Sequence, residues 1–290
     1  MQKLHISTET NTLKKVLVGI ANDRGKKVHE NNPKISKHLM QGTLPTENTL
    51  VKQVNRFADL ISEISDAEVL RPVNVKEQDQ IFTRDIGFVI NDNFVLANMK
   101  KTNRKPEQQG LINLLETIDK SKILTPPENA NVEGGDVIVH GKYIFVGLTA
   151  RTNFAGFEFL RNNFPNNEVI PFQMFVTDNP ATNILHLDCS FQPVGSKYAI
   201  LYENGFVHHP DVLFDIFGER NIIKVTQYEM YHMFPNIFSI NPELVISDKS
   251  FVRLNEMLES KNIKVVTSDY QEVAKFGGLF RCSTMPLIRE

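Results

Sequence analysis

Along this chain, short runs of alternating apolar and polar residues come in pairs, and each pair is split by turn residues. "IGFVINDNFVLANM" (86–99) predicts strand, Asn-Asp-Asn turn, strand. A stretch with helical spacing follows, "EQQGLINLLETI" (107–118), and then a short strand, "KILTPP" (122–127). The pattern returns in "GDVIVHGKYIFVG" (135–147), which turns at His140-Gly141. The helix "FAGFEFLRNNF" (154–164) and the strand "EVIPFQM" (168–174) come after it. A third pair, "LHLDCSFQPVGSKYAILY" (185–202), turns near Gly195 and leads to the helix "DVLFDIFGE" and the strand "NIIKVT". A fourth is worn: "IFSINPELVIS", the helix "FVRLNEMLES", the strand "KVVTS". The strand "LKKVLVGI" and the helix "ENTLVKQVNRFADLISEI" (47–64) complete a fifth unit with the C-terminal strand.

Hairpin, helix and strand thus recur at roughly fifty-residue spacing, as expected of units packed around an axis. No Pro/Gly/Ser-rich linker interrupts the recurrence, so residues 1–290 read as one domain of α/β class. An α+β sandwich with accidental periodicity is the plainer alternative.

Composition narrows the function classes. The 41% hydrophobic content supports a core, and the 23% charged content is ordinary. A net charge of −2 gives no electrostatic reason to expect nucleic acid or an anionic membrane. The basic cluster "KKTNRK" (100–105) reads as a solvated loop. The start has no apolar signal core, and no run is long enough to span a membrane. Two cysteines are too few for a disulfide framework. The expected compartment is the cytoplasm. There is no CxxC, HExxH or EF-hand loop, and His208-His209 reads as a loop pair, so no metal is expected. GxGxxG and P-loop patterns are absent as well.

Four stretches break the apolar pattern near strand ends: "FTRD" with Asp85, "VEGGDV" with Glu133 and Asp136, "LHLDCSF", and "FRCSTMPL" with Cys282. If the third is extended, His186, Asp188 and Ser190 share one face, and Leu187, Cys189 and Phe191 the other. Cys189 is then a core residue, and the imidazole and carboxylate lie together. By the same alternation Cys282 sits with Phe280 and Thr284, opposite Arg281 and Ser283. Gly277-Gly278 allows positive φ and a sharp entry. The glycines of EGGD let the backbone crowd a ligand that Glu133 reaches; an acidic tight turn is the plainer reading, with Asp136 closing it.

A free thiol is only slightly ionised at neutral pH. Carboxylates near Cys282 raise its pKa further, unless the substrate itself is a cation. The mixture therefore points to a cysteine enzyme acting on a flat cation such as guanidinium, which carboxylates grip bidentately.

Taken in order, "FTRD", "EGGDV", "GLTARTN", "HLDCSF" and "RCSTMPL" resemble the guanidino-group-modifying superfamily of arginine deiminases, dimethylarginine dimethylaminohydrolases and amidinotransferases. The resemblance implies a five-bladed α/β propeller of pseudo-symmetric ββαβ units. It implies that Cys282 attacks the guanidinium carbon and that His186 protonates the leaving amine, then activates water. Asp85 would hold the guanidinium nitrogens, Asp188 or Glu133 would supply a second carboxylate, and Arg151 would bind a substrate carboxylate. Arg84 and Arg281 line the site or pair with carboxylates. No metal or organic cofactor is implied, and the partner is a small guanidino compound; a homodimer is compatible with the sequence. In size the chain resembles a dimethylarginine hydrolase, while Asp188 fits the deiminase and amidinotransferase pattern and favours an unmethylated guanidinium. The expected activity is C–N hydrolysis through a covalent thiouronium. An amidinotransferase and a non-catalytic guanidino-compound binder are the alternatives.

Overall fold

The computed structural model describes residues 2–25 and 28–290. It contains five three-stranded sheets of one design. In each, two strands pair antiparallel, as a hairpin in four of the five, and a crossover places a third strand parallel to the middle one. The first complete sheet is Gly87–Ile90, Asn93–Leu96 and Ile123–Leu124. The second is Val137–His140, Tyr143–Leu148 and Glu168–Gln173. The third is Phe191–Val194, Tyr198–Leu201 and Ile222–Lys224. The fourth is Phe238–Asn241, Leu244–Asp248 and Lys264–Ser268. The fifth joins distant parts of the chain. Leu13–Val18 is its middle strand, Thr284–Arg289 pairs with it antiparallel, and Glu68–Leu70 pairs with it parallel. The five blades follow the expected ββαβ plan, including the worn fourth one.

Turn chemistry fixes the hairpins. Gly141 and Gly195 take φ of 60° and 63°, and Asn91 takes 53°; Gly and Asn tolerate this left-handed region best. Burial explains why the strands read as apolar. In Val137–His140, Val137 and Val139 enter one hydrophobic cluster and Ile138 enters another. Opposite faces of one strand are both covered, as the two-residue period requires.

The long crossover helix Glu47–Ile64 begins at Thr46, whose Oγ1 accepts the N–H of Thr49 at 3.3 Å. It buries Leu50, Val54, Phe57, Ala58, Leu60 and Ile61, a one-sided helical spacing. Phe57 packs 5.0 Å from the ring of Phe280, which itself stacks 4.7 Å from Tyr270. Burying a phenylalanine contributes about 2 kcal/mol, so this helix anchors the turn that carries Cys282.

Three local expectations differ from the structure. The stretch around Asp188 is not extended: Leu187–Cys189 forms a turn of 3-10 helix, and the strand starts at Phe191. Residues 280–283 are likewise a turn, closed by Thr284 N–H donating to the Arg281 carbonyl. Thr83–Ile86 and Gly134–Asp136 are helical turns too. All four polar stretches are thus single turns placed just before the first strand of a blade, so strand alternation does not apply to them. The "KKTNRK" segment is not a solvated loop. It enters a 3-10 helix, Thr102–Leu111, that continues as α-helix Ile112–Thr117, and it buries Arg104. Among the described residues no helix is long and apolar enough to cross a membrane.

Candidate active site

The turns before the blades converge. Asp85, His186, Cys282 and Arg151 line one small cavity with Arg104, Asp79, Phe82 and Gly278. Its volume is ≈ 20 Å³, room for about one water. Asn31, Asn32, Arg151 and Leu185 also border a larger, more open cavity of ≈ 530 Å³ on the outer side.

Each functional side chain is held by a different motif. Gly135 lies flat against the site: a Cβ there would come within 2.7 Å of the His186 ring and 3.0 Å of Asp85 Oδ1. The glycine in EGGD therefore admits the imidazole; it is this chain's own ring that the backbone crowds. Asp136 does close the turn, accepting from Thr149 Oγ1 at 2.7 Å and from the Leu187 N–H at 2.9 Å. That second bond ties the EGGD turn to the HLDC turn.

Glu133 is wholly buried behind His186. Its Oε2 is 3.0 Å from His186 Nε2 and 3.2 Å from Arg151 Nη1, and its Oε1 accepts the Lys100 N–H at 3.1 Å. Burial would raise the Glu133 pKa, but the His186 bond and the Arg151 charge hold it down at about 2. Burial would lower His186, and the charges of Asp85, Asp136 and Glu133 outweigh it, raising the ring to about 9. At neutral pH His186 is an imidazolium clasped between Glu133 and Asp85, whose Oδ1 lies 3.7 Å from Nδ1.

Asp85 is loaded on one side only. Its Oδ2 accepts from Arg104 Nη1 at 2.7 Å, while Oδ1 is buried with no hydrogen-bond partner among the described residues. Arg104 in turn grips Glu107 with both Nε and Nη2, at 2.8 and 2.9 Å. Burial pushes Glu107 up to about 8.

Cys282 is 2% exposed. Its thiol donates toward Asp188 Oδ2 at 3.4 Å and receives the Asn236 Nδ2 donor at 3.2 Å. Burial, then the charges of Asp188 and Asp85, push the thiol well above its usual range. Asp188 is not open to the cavity: Arg281 Nη1 holds its Oδ2 at 2.8 Å. Arg281 also bonds Glu9 at 2.9 Å, with Arg84 3.7 Å from the same Glu9 oxygen. Both arginines therefore pair with carboxylates in a buried layer behind the sulfur. Arg151 faces the cavity, but Glu133 and the Asn31 carbonyl, 2.6 Å from Nη2, occupy its guanidinium.

Of the residues picked from the sequence, Asp85, His186, Cys282 and Arg151 line one cavity, whereas Glu133 and Asp188, expected to offer substrate a second carboxylate, lie behind it, held by Arg151 and Arg281. Sequence reasoning missed Arg104, Asn236, Glu9 and the cover formed by Asn31 and Asn32. The cover had a signal: Asn32 caps the helix Pro33–Met40, with Pro33 at its first position. Arg104 also had one, an Arg-Glu pair three residues apart. Asn236 had none. Asp85, Glu133 and His186 each place one ligand atom within 4.8 Å of the others, a set that could hold a divalent ion. Arg104, Arg151 and the imidazolium proton already satisfy those charges, so a metal would have to displace them.

A family model described as eukaryotic N,N dimethylarginine dimethylhydrolase matches residues 28–289. The uncharacterized protein YkgA of Bacillus subtilis is 28% identical over 97% of this chain and 94% of its own length. The N-terminal domain of ArgZ bound to product, an arginine dihydrolase from the ornithine-ammonia cycle in cyanobacteria, superposes with a TM-score of 0.81 at 20% identity. That match covers 96% of this chain and 98% of the other. The inosamine-phosphate amidinotransferase StrB1 of Streptomyces griseus gives 0.79 at 15% identity, over 99% and 97%. The convergent turns, the five-bladed α/β propeller and the extent of the family match agree, and the chain belongs to the N,N dimethylarginine dimethylhydrolase family within the superfamily of guanidino-group-modifying enzymes.

Proposed function

We propose that the five blades work as one catalytic domain, a cysteine-dependent hydrolase that cleaves a C–N bond in the guanidino group of arginine or an arginine-like compound, N-methylated arginines included. The observation that carries this reading is the half-satisfied Asp85. One carboxylate oxygen is fixed by Arg104 and the other accepts no hydrogen bond among the described residues, with the His186 ring 3.7 Å away, in a cavity shared with the thiol. A guanidinium N–H supplies the donor this oxygen lacks.

The mechanism follows from the charges. A bound cation offsets the acids that disfavour the Cys282 thiolate. On binding of the cation the Cys282 thiol releases its proton to solvent, and the thiolate attacks the guanidinium carbon, which becomes tetrahedral. His186, protonated before substrate arrives, gives its proton to the departing amine, leaving a thiouronium on Cys282. The neutral imidazole, steadied by Glu133, then takes a proton from water. The resulting hydroxide adds to the carbon, and the thiolate is expelled as the ureido product forms. A ≈ 20 Å³ cavity does not hold a guanidinium, so entry requires the Asn31–Asn32 cover to shift.

The position of Asp188 bears on the substrate. Arg281 holds it behind the sulfur, so it does not supply the second grip on terminal nitrogens that would exclude methyl groups. This supports N-methylated arginines as substrates beside arginine. The test is a panel of arginine, N-methylated arginines and short guanidino acids, read for ammonia, methylamines and ureido product, with mass spectrometry of the quenched protein. The expected result is hydrolysis of at least one compound and an adduct on Cys282. Turnover only with an added amine would make the enzyme a transferase. A reactive Cys282 with no product from any compound would overturn the reading.

A further inference from the structure

Asn236 is wholly buried, in the short turn Phe234–Asn236 before the fourth blade, and its carboxamide is fully used at the nucleophile. Its Oδ1 accepts the backbone N–H groups of Leu279 and Cys282, both at 3.1 Å. Its Nδ2 donates to Cys282 Sγ at 3.2 Å and to the Asp188 carbonyl at 3.4 Å. The carboxamide thus makes two accepted and two donated bonds, which is its full capacity.

The surroundings show what such a donor does. The acids felt by the sulfur are Asp188 and Asp85, and Cys189 is a further neighbour. Arg84 is a cation within electrostatic reach but lies in the layer already shared by Glu9 and Arg281; the His186 imidazolium borders the same cavity, and the backbone N–H of Leu279 also favours the charged sulfur. Two acids therefore oppose ionisation of the thiol. An N–H aimed at sulfur favours the charged form, because a hydrogen bond to an anion is about twice as strong as one to a neutral atom. Holding the turn alone would need only an acceptor, which Asp also supplies.

We propose that Asn236 is a catalytic residue: its oxygen fixes the turn that carries Cys282, and its amide donates to the sulfur and sustains the thiolate that attacks the guanidinium carbon. This rests on Cys282 being the nucleophile of the hydrolase proposed above.

The test measures thiol reactivity rather than turnover. The probe is 2-chloroacetamidine, a small planar cation with an alkylating carbon; sulfur displaces chloride, and the thiol proton goes to solvent. Alkylation of Cys282 is followed by mass spectrometry between about pH 6 and about pH 10, with Cys282→Ser as the blank. Asn236→Asp keeps the oxygen that accepts both N–H groups and replaces the donor with an acceptor. The expected result is a folded variant alkylated at least about tenfold more slowly at neutral pH, with its rise displaced to higher pH. Asn236→Ala, which removes the donor and the acceptor together, carries the same expectation and serves if the aspartate does not fold. A folded variant with the wild-type profile and a rate within about twofold would overturn the proposal and leave Asn236 a purely structural residue; so would a wild-type Cys282 that is not alkylated at any pH. Alkylation that depends on Asn236, with no guanidino compound hydrolysed, would instead sink the functional reading and with it the catalytic role, leaving only the support of the Cys282 thiolate by Asn236.

Discussion

The two cysteines sit in similar turns and share a neighbour, yet their surroundings differ. Cys189 and Cys282 are 3% and 2% exposed, and each thiol lies near Asp188, at 3.8 and 3.4 Å. Burial raises both pKa values, Cys189 to well above the usual thiol range. Neither burial nor a raised pKa separates them. What separates them is the next contact. Cys282 receives Asn236 and opens on the cavity of Asp85 and His186. Cys189 borders a separate cavity of ≈ 30 Å³, lined by Leu185, Met230 and Met233 with Lys34 as its cation and without Asp85 or His186. A thiol's character is set by its donors and by the cation its pocket admits, more than by how deeply it is buried.

The largest effect expected is from Cys282→Ala, which should cut turnover roughly a thousandfold or more and abolish the covalent adduct. An adduct surviving in that variant would transfer the chemistry to Cys189 and break the contrast.

His186→Asn comes next, with turnover falling by about a hundredfold or more. It also changes stability. The His186 pKa is raised from 6.5 to about 9, so its contribution is complete below pH 6.5 and is lost as pH rises through 9. Glu133 is lowered from 4.5 to about 2, so its contribution is complete above pH 4.5 and is lost as pH falls through 2. A Tm-versus-pH series should therefore decline on the alkaline side in the wild type and decline less in the variant, where the fall between pH 8 and 9 is lost and that from Glu107, raised to about 8, stays. An identical alkaline limb in both would contradict a charged resting imidazole.

Gly135→Ala should lower kcat/KM by about tenfold or more, because its Cβ would reach within 2.7 Å of the His186 ring. Wild-type kinetics in that variant would show the imidazole to be loosely placed. Cys189→Ala should have the smallest effect: about 1–2 kcal/mol of stability from the lost packing, by denaturant melts, with kcat unchanged. A large loss of kcat there would mean the second thiol does more than fill space.

The blades were legible because their signals are local. Period-two burial and turn residues such as Asn91, Gly141 and Gly195 mark each hairpin, and the crossover helix Glu47–Ile64 shows its buried stripe. The strand Glu68–Leu70 was not seen, since three residues carry no period. The site was legible as a set of motifs and misread in local shape. His186 and Asp188 both reach the neighbourhood of Cys282, but from a 3-10 turn that sends one to the cavity and the other behind the sulfur. Arg104 was hidden because four cations within six residues look solvated until a buried Asp85 and Glu107 receive one of them. Asn236 gave no sign, because its role is created by a segment more than forty residues away, which folding alone brings to it.

The fifth blade has a consequence for how the enzyme comes into being. Its outer strand, Thr284–Arg289, follows directly on Cys282 and pairs with Leu13–Val18. The ring is clasped by the most sequence-distant contact in the sheet system, the type that forms slowly. A growing polypeptide can therefore form the four continuous blades while Leu13–Val18 still waits for its antiparallel partner, and the turn carrying Cys282 gains its closing strand last.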